Sequence, residues 1–169
     1  MPSLQFTIQR QLMPNWCWAA VATSVFKFYR PQSPISQRRF VSDFLHLPQC
    51  DAGIPAPTCN RQASLSEALF KLNIFNGRID NHVPPSEIER EIGMGRPVCS
   101  LLLHPQFSGH FVVISGIFRS EANPGIISVR VEDPVNAMEH IVPYPDLING
   151  FLGSNWIKTF FTKPLPVQA

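Results

Sequence analysis

The sequence predicts an α+β fold in which a helical half packs against an antiparallel sheet. The first observation is that segments with the apolar period of helices occupy the chain up to Gly95. The second is that short runs rich in Val, Ile and Phe, with turn signals between them, follow it. The third is a hydrophobic content of 44% in 169 residues, enough for one buried core. We therefore expect one domain over residues 1–169, with helices and strands in separate layers.

The most distinctive helix is predicted for residues 16–29. Asn15 is a natural N-cap, and the segment that follows is almost wholly apolar, without glycine or proline, until Pro31 and Pro34 end it. A helix that is apolar on all sides is a buried one. We therefore expect this segment to be the central helix of the domain, and it carries Cys17 near its start.

Three further helices are predicted before the main run of strands begins. Residues 36–45 place apolar side chains on one face, as an amphipathic helix does. Residues 64–72 open with a Ser-Leu-Ser-Glu capping box, and residues 84–92 open with two prolines and acidic side chains. Strands are then predicted over the five apolar runs, at residues 97–103, 110–118, 126–132, 140–142 and 156–162.

Composition and charge argue against two classes of partner. The net charge is +2 and the basic residues are scattered, so no nucleic-acid surface is predicted. No segment approaches the roughly 18 apolar residues of a membrane span, so no membrane partner is predicted.

The first residues lack the basic start and the apolar centre of a secretory signal. We expect a cytoplasmic protein, or one secreted by a route that needs no Sec signal peptide.

Two of the four cysteines, Cys50 and Cys59, lie in a Gly- and Pro-rich loop. Three interpretations stay open: two free thiols, a disulfide, or half of a metal site with His46. A zinc site usually draws on close Cys-x-x-Cys pairs, which this loop lacks. Free thiols are what an enzyme working in the cytosol would keep. We expect no metal ion and no cofactor.

The clearest chemical signal is the segment Gln-Leu-Met-Pro-Asn-Trp-Cys-Trp at residues 11–18. It sets Cys17 where a proline-containing turn becomes an apolar helix, and the unpaired N–H groups of a helix N-terminus stabilise a thiolate. Gln11 lies six residues earlier, close enough for its amide to donate to an oxyanion near the thiol. The alternative is a buried structural cysteine, which most free cysteines are. The flanking glutamine and the two indoles favour a nucleophile.

A cysteine nucleophile needs a base, and a third group to orient that base. His110 lies in the run Gly-His-Phe-Val-Val-Ile-Ser-Gly, so it is held rigidly at the start of a buried strand. His104, at the end of the preceding strand, is the second candidate. Asp133 ends the next strand before a proline, where it is expected to accept the Nδ1–H of His110. Glu132 is its substitute.

These motifs resemble a known family. Gln-x5-Cys-Trp, then Gly-His-Phe-Val-Val, then Asp-Pro is similar to the papain-like cysteine proteases. Residues 15–20, 95–98, 109–116 and 133–134 resemble the bacterial branch that contains the type III avirulence protease of plant pathogens. The resemblance covers about residues 9–162. It implies a papain-like fold, with the cysteine-bearing helix packed on an antiparallel sheet or half-barrel.

Carried over residue by residue, the resemblance implies Cys17 as nucleophile, His110 as base, Asp133 as orienting acid and Gln11 as oxyanion donor. It implies a cysteine peptidase that acts on a protein or peptide substrate, in the manner of a bacterial effector. The same residues would serve another thiol acyl transfer, such as deamidation, transglutamination or amidase chemistry. A catalytically silent binding module is the third interpretation. Three indoles and one phenyl ring are candidates for an apolar substrate subsite, or else are aromatic side chains of the core: Trp16, Trp18, Trp156 and Phe107.

Overall fold

A computed structural model describes residues 1–167 of the chain. These residues form five α-helices and one six-stranded antiparallel sheet, which confirms the predicted α+β class and is consistent with a papain-like fold. The helices are α1 (Cys17–Tyr29), α2 (Gln37–Leu45), α3 (Leu65–Lys71), α4 (Pro85–Gly93) and α5 (Tyr144–Ile148). The strands are β1 (Phe75–Ile79), β2 (Val98–Leu103), β3 (His110–Arg119), β4 (Ile127–Asp133), β5 (Met138–Pro143) and β6 (Asn155–Thr162). Over the described residues, no helix has both the length and the apolar character needed to cross a membrane.

The strand order in the sheet is β1-β6-β2-β3-β4-β5. Strands β2 to β5 follow one another as antiparallel neighbours, whereas β6 returns to lie between β1 and β2. The N-terminal segment joins the sheet at β3, because Leu4 N–H donates to Ser115 O at 2.8 Å and Ile117 N–H donates to Pro2 O at 3.1 Å. The first residues are therefore anchored to an interior strand.

Helix α1 begins at Cys17, and its first nine residues are all buried. It packs against α2, α3 and β3. The prediction of Asn15 as its N-cap is wrong, because Trp16 occupies that position without a side-chain hydrogen bond. The Asn15 amide instead donates to Asn60 O at 3.2 Å, and Asn15 N–H donates to Asn60 Oδ1 at 2.8 Å. The approach to α1 is thus held by a neighbouring loop.

The other predicted helices are confirmed, and their starts follow from their sequences. Ser36 Oγ accepts the Arg39 N–H at the start of α2, and Ser64 Oγ accepts the Glu67 N–H at the start of α3. These bonds satisfy N–H groups that a helix start leaves without partners. Pro85 begins α4, where its missing N–H removes no helical hydrogen bond.

Two elements, β1 and α5, lie outside the prediction. Strand β1 contains Gly77, with a positive φ of 114°, and its short run Phe-Asn-Gly-Arg-Ile lacks the alternation of a half-buried strand. It forms because β6 supplies its hydrogen-bond partners. Helix α5 begins with Tyr-Pro, which reads as a turn signal in the sequence. A proline suits the first turn of a helix equally well, so the local sequence does not decide between the two.

Cys50 and Cys59 form a disulfide, which decides between the three interpretations that the sequence leaves open. Each lies in a short 3-10 turn, at Pro48–Asp51 and Pro57–Cys59, and both side chains are buried. The pairing leaves neither thiol for a metal ion. Over residues 1–167, no group of three or more His, Cys, Asp or Glu side chains is placed to hold such an ion.

Replacing both loop cysteines, in the variant Cys50→Ser/Cys59→Ser, should lower the melting temperature and leave Cys17 reactive. Closing so short a loop stabilises a fold by about 2–3 kcal/mol, which corresponds to roughly 4–12 °C in a chain of this size. Thermal unfolding with and without a thiol reductant measures the effect, and the wild-type protein in reductant is the matched control. A wild-type protein whose intact mass is unchanged by reduction would contradict the disulfide.

Candidate active site

Cys17 is the first residue of α1, and its side chain is almost wholly buried. The N–H groups of a first helical turn have no partner within the helix and stabilise negative charge. Two indoles fix the chain on either side of this residue. Trp16 Nε1 donates to Cys59 O at 2.7 Å, and Trp18 Nε1 donates to Arg61 O at 2.9 Å. The indoles therefore clamp the segment that follows the disulfide against the start of α1.

His110 is the first residue of β3; its ring is hydrogen-bonded to Asp133, and Cys17 is near enough to affect the pKa of the ring. Its Nε2 lies 2.8 Å from Asp133 Oδ1. Because Nε2 faces the carboxylate, Nδ1 is the ring nitrogen left for the Cys17 sulfur. Burial lowers the pKa of His110, but hydrogen bonds with Asp133 and Cys17 and their negative charges outweigh burial and raise the pKa to about 9. The direction of this shift favours the protonated ring.

Asp133 is the last residue of β4, the antiparallel neighbour of β3. The start of one antiparallel strand meets the end of the next, which brings Asp133 beside His110. Asp133 Oδ1 also accepts the Val135 N–H at 2.9 Å. Burial raises the pKa of Asp133, but its hydrogen bonds with His110 and Val135 and the charge of His110 bring it below its usual value. The predicted contact at Nδ1 is wrong, since the ring meets the carboxylate with Nε2, the nitrogen farther from the main chain.

The two substitute candidates have other contacts. Glu132 precedes Asp133 in β4, so its side chain points to the opposite face of the sheet, where Oε1 accepts a hydrogen bond from Ser115 Oγ at 2.6 Å. Burial raises the pKa of Glu132. His104 follows β2, and its Nδ1 accepts the Gln106 N–H at 3.0 Å. Both side chains are therefore engaged away from the imidazole–carboxylate pair.

A cavity of about 200 Å³ opens beside Cys17. It lies between the helical part of the protein and strands β2 and β3. Its lining residues are Asn15, Cys17, Trp18, Gln62, Ala63, Leu101, Leu103, Gly109 and Phe111. Glycine at position 109 permits this close packing, because a side-chain carbon there would come within 2.6 Å of Leu101. The Cys17 thiol thus lines an apolar recess, and His110, bonded to Asp133, follows the lining residue Gly109 in the chain. A thiol, an imidazole and a carboxylate are the groups that acyl transfer through cysteine requires.

Comparison with known families agrees with this chemistry. The sequence profile of the family described as papain-like cysteine protease AvrRpt2 matches residues 3–143. The chain belongs to this family. The matched range includes Cys17, His110 and Asp133, and the match confirms the resemblance predicted from the motifs. The family implies a thiol protease, a hydrolase. Among curated proteins, none matches the chain significantly.

In this AvrRpt2-type protein, the amide of Gln11 is engaged by its own loop. Nε2 donates to Met13 O at 3.3 Å and to Pro14 O at 2.8 Å. Oε1 is buried and has no hydrogen-bond partner among the described residues. The Gln11 N–H donates to Pro134 O at 2.8 Å, next to Asp133. The backbone of Gln11 is thus tied to the turn after the carboxylate, while its side chain braces the loop that leads to α1.

The three indoles predicted to form a substrate subsite lie in different surroundings. Trp18 borders the cavity beside Cys17. Trp16 is fully buried, with its N–H bonded to the disulfide loop. Trp156 is buried in β6, where its ring packs against two aromatic rings of other segments. All three indoles are therefore buried in the core, and Trp18 also borders the cavity.

A polar side chain that sequence reasoning does not identify holds the backbone next to Gln11. Gln37, buried at the start of α2, donates from Nε2 to Arg10 O at 2.7 Å, and its Oε1 accepts the Leu12 N–H at 3.1 Å. A glutamine at the start of an amphipathic helix is ordinarily expected on the solvent side. No local signal therefore marks this residue, because its partners lie far away along the chain.

Proposed function

We propose that this protein is a cysteine peptidase that cleaves peptide bonds with Cys17 as nucleophile, His110 as general base and acid, and Asp133 as the orienting group. The observation that carries the proposal is the position of the His110 ring, which is bonded to Asp133 Oδ1 at 2.8 Å and lies near enough to Cys17 for that residue to raise its pKa. A nucleophile, a base and a group that orients the base are the three parts of such a mechanism. Membership of the AvrRpt2-type family supports the same activity.

The proposed reaction follows from the charges in the site. His110 holds the proton of the Cys17 thiol, and Sγ attacks the substrate carbonyl carbon, so a C–S bond forms and the carbonyl electron pair moves onto oxygen. The pair then returns, the C–N bond breaks, and the leaving nitrogen takes the proton of His110. Water attacks the resulting thioester while His110 accepts its proton, which releases the acid product and Cys17. Because hydrogen bonds and neighbouring charge outweigh burial and raise the pKa of His110 to about 9, the proton for the leaving amine is present at neutral pH.

The negative oxygen formed in each step needs hydrogen-bond donors. The backbone N–H of Cys17 is one, since the first residue of a helix has no partner for it within the helix. The Gln11 amide is the other, and its 3.3 Å bond to Met13 O is the longer and weaker of its two contacts. Exchanging that bond for one to the oxyanion leaves the 2.8 Å bond to Pro14 O to hold the side chain.

The Gln11→Ala variant should lose turnover by roughly 10²–10³, while iodoacetamide alkylates its Cys17 at the wild-type rate. Alkylation forms no oxyanion, so a donor to the oxyanion affects only hydrolysis. Gln9→Ala is the matched control, since Gln9 lies on the same segment and its N–H bonds to Ser24 Oγ of α1. Steady-state hydrolysis and alkylation kinetics measure the two effects. Loss of turnover in Gln9→Ala with none in Gln11→Ala would contradict the assignment.

The cavity supports a protein or peptide substrate. Trp18, Leu101 and Phe111 give it an apolar lining directly beside Cys17. Pockets of this kind take up an apolar side chain, while a few polar groups orient the reacting bond. We therefore expect an apolar residue of the substrate to lie next to the bond that is cleaved.

A comparison of protein N-termini in a cell lysate tests the proposed function. One portion is treated with the wild-type protein and the other with Cys17→Ala, and new N-termini are quantified by mass spectrometry. We expect N-termini that appear only with the wild type and that share an apolar residue near the cleaved bond. Modified glutamine or other amide side chains without new N-termini would indicate another thiol acyl transfer. No product at all, together with an unreactive Cys17, would indicate a binding module.

A further inference from the structure

Gln37 binds the backbone on both sides of Gln11. The residue is only 3% exposed. Its Nε2 donates to Arg10 O at 2.7 Å, and its Oε1 accepts the Leu12 N–H at 3.1 Å. We propose that Gln37 is a positioning residue for the oxyanion donor, a role that rests on the function proposed above. It acts through the backbone of Gln11 and not on the substrate.

The segment around Gln11 is held from two sides. Arg10 O and the Leu12 N–H both bond to Gln37, whereas the Gln11 N–H between them bonds to another part of the chain. On the first side, the Gln37 amide donates to Arg10 O and accepts the Leu12 N–H. On the second side, the Gln11 N–H donates to Pro134 O at 2.8 Å. Since Pro134 follows Asp133, this arrangement connects α2, the oxyanion donor and the turn after the orienting carboxylate.

The rest of the N-terminal segment has its own anchors. Leu4 N–H bonds to the backbone of β3, and Gln9 N–H donates to Ser24 Oγ of α1 at 2.9 Å. These contacts hold the segment to the sheet and to α1 independently of Gln37. Loss of the Gln37 amide therefore frees chiefly residues 10–12, the part that carries the oxyanion donor.

Because Gln37 is buried, its amide restricts the motion of the backbone that it binds. A buried amide is costly unless its donors and acceptor are satisfied, and here both Nε2 and Oε1 have backbone partners. The side chain therefore has little freedom, and neither has the backbone that it binds. A displacement of about 1 Å in a catalytic group lowers turnover by roughly 10². An oxyanion donor needs this kind of fixed backbone.

The variant Gln37→Met tests the role, because methionine keeps the length of the side chain and loses both hydrogen bonds. Ser24→Ala is the matched control, since it removes a partly buried hydrogen bond to the same segment at Gln9. The measurements are kcat and KM on a peptide taken from the lysate comparison, alkylation of Cys17 by iodoacetamide, and the melting temperature. We expect Gln37→Met to lower kcat about 10–100-fold, with KM and the alkylation rate within about twofold of wild type. Ser24→Ala should lower the melting temperature and keep kcat within about twofold.

Coupling to Gln11 gives a second readout. The double variant Gln11→Ala/Gln37→Met should be no slower than Gln11→Ala alone, since nothing is left to position. Should Gln37→Met fail to fold, Gln37→Glu gives the same readouts. It keeps the acceptor for the Leu12 N–H and replaces only the donor to Arg10 O, so kcat should again fall while alkylation does not.

Three results would overturn the positioning role. The first is a loss of alkylation rate in Gln37→Met as large as its loss of kcat, and the second is a loss of kcat in the double variant equal to the product of the two single losses. The third is a loss of kcat in Ser24→Ala as large as that in Gln37→Met. The proposed function is judged separately, by hydrolysis that is present in the wild type and absent from Cys17→Ala. If the wild type passes this test and Gln37→Met keeps the full kcat, the inference is refuted and the proposed function stands.

Discussion

We expect Cys17→Ala to fold like the wild type and to lose peptide hydrolysis by a factor on the order of 10⁶. The change removes the sulfur that bonds to the substrate carbonyl, and the imidazole and carboxylate are left without a nucleophile to activate. Alanine is a strong helix former, so α1 should still begin at this residue. Peptide hydrolysis and circular dichroism measure the two expectations. Full activity in this variant would refute the proposed function.

Cys99 supplies the control for this experiment. It is a free cysteine that is fully buried in β2, and burial raises the pKa of its thiol. Cys99→Ala should therefore keep hydrolysis, although the smaller side chain lowers stability. In the wild-type protein, iodoacetamide should label Cys17 far faster than Cys99. Equal labelling of the two thiols would contradict an activated nucleophile at the start of α1.

The second large effect is expected of His110→Ala, whose loss of peptide hydrolysis should approach that of Cys17→Ala. It removes both the proton for the leaving amine and the positive charge beside the sulfur. Asp133→Ala should be milder, with a loss of about 10⁴, because the base remains and only its orientation and charge balance suffer. His104→Ala is the matched control, since His104 bonds to the Gln106 N–H instead. If His104→Ala loses peptide hydrolysis and His110→Ala keeps it, the base is wrongly assigned.

The pH dependence follows from the same pair. Hydrogen bonds and negative charge from Asp133 and Cys17 outweigh burial and raise the pKa of His110 from 6.5 to about 9. The stability contributed by the protonated ring is therefore fully present below pH 6.5 and lost as the pH rises through about 9. Hydrolysis should fall as the pH rises through about 9, because a neutral ring has no proton for the leaving amine. Asp133→Asn removes one of the charges, so the alkaline limb of its kcat/KM profile should move to lower pH.

The elements that hold the site were predictable because their signals are local. The apolar run of α1 and the Val- and Ile-rich run of β3 carry their own periodicity, and antiparallel pairing of β3 with β4 brings His110 next to Asp133. The ring nitrogen that meets the carboxylate was not predictable, since it depends on the direction of the side chain in three dimensions.

The contacts that hold the backbone of the site could not be read from the sequence. Asn15 has the residue type of an N-cap, yet it bonds to Asn60, and the sequence contains no trace of that pairing. Gln37 likewise reaches back to residues 10 and 12. Such partners are brought together only when the loop and the helices have packed, so periodicity and capping rules contain no information about them.

The position of β6 also affects when the wall of the recess beside Cys17 is completed during synthesis. Strands β1 and β2 are neighbours of β6 and not of each other, so one edge of β2 stays unpaired on a nascent chain that has been made only as far as β5. Leu101 and Leu103 of β2 line the recess beside Cys17, and Leu101 pairs with Lys158 of β6. Pairing between strands so distant in sequence is slow. The order of translation thereby delays completion of the recess wall until β6, the strand made after all the others in this sheet, has been inserted.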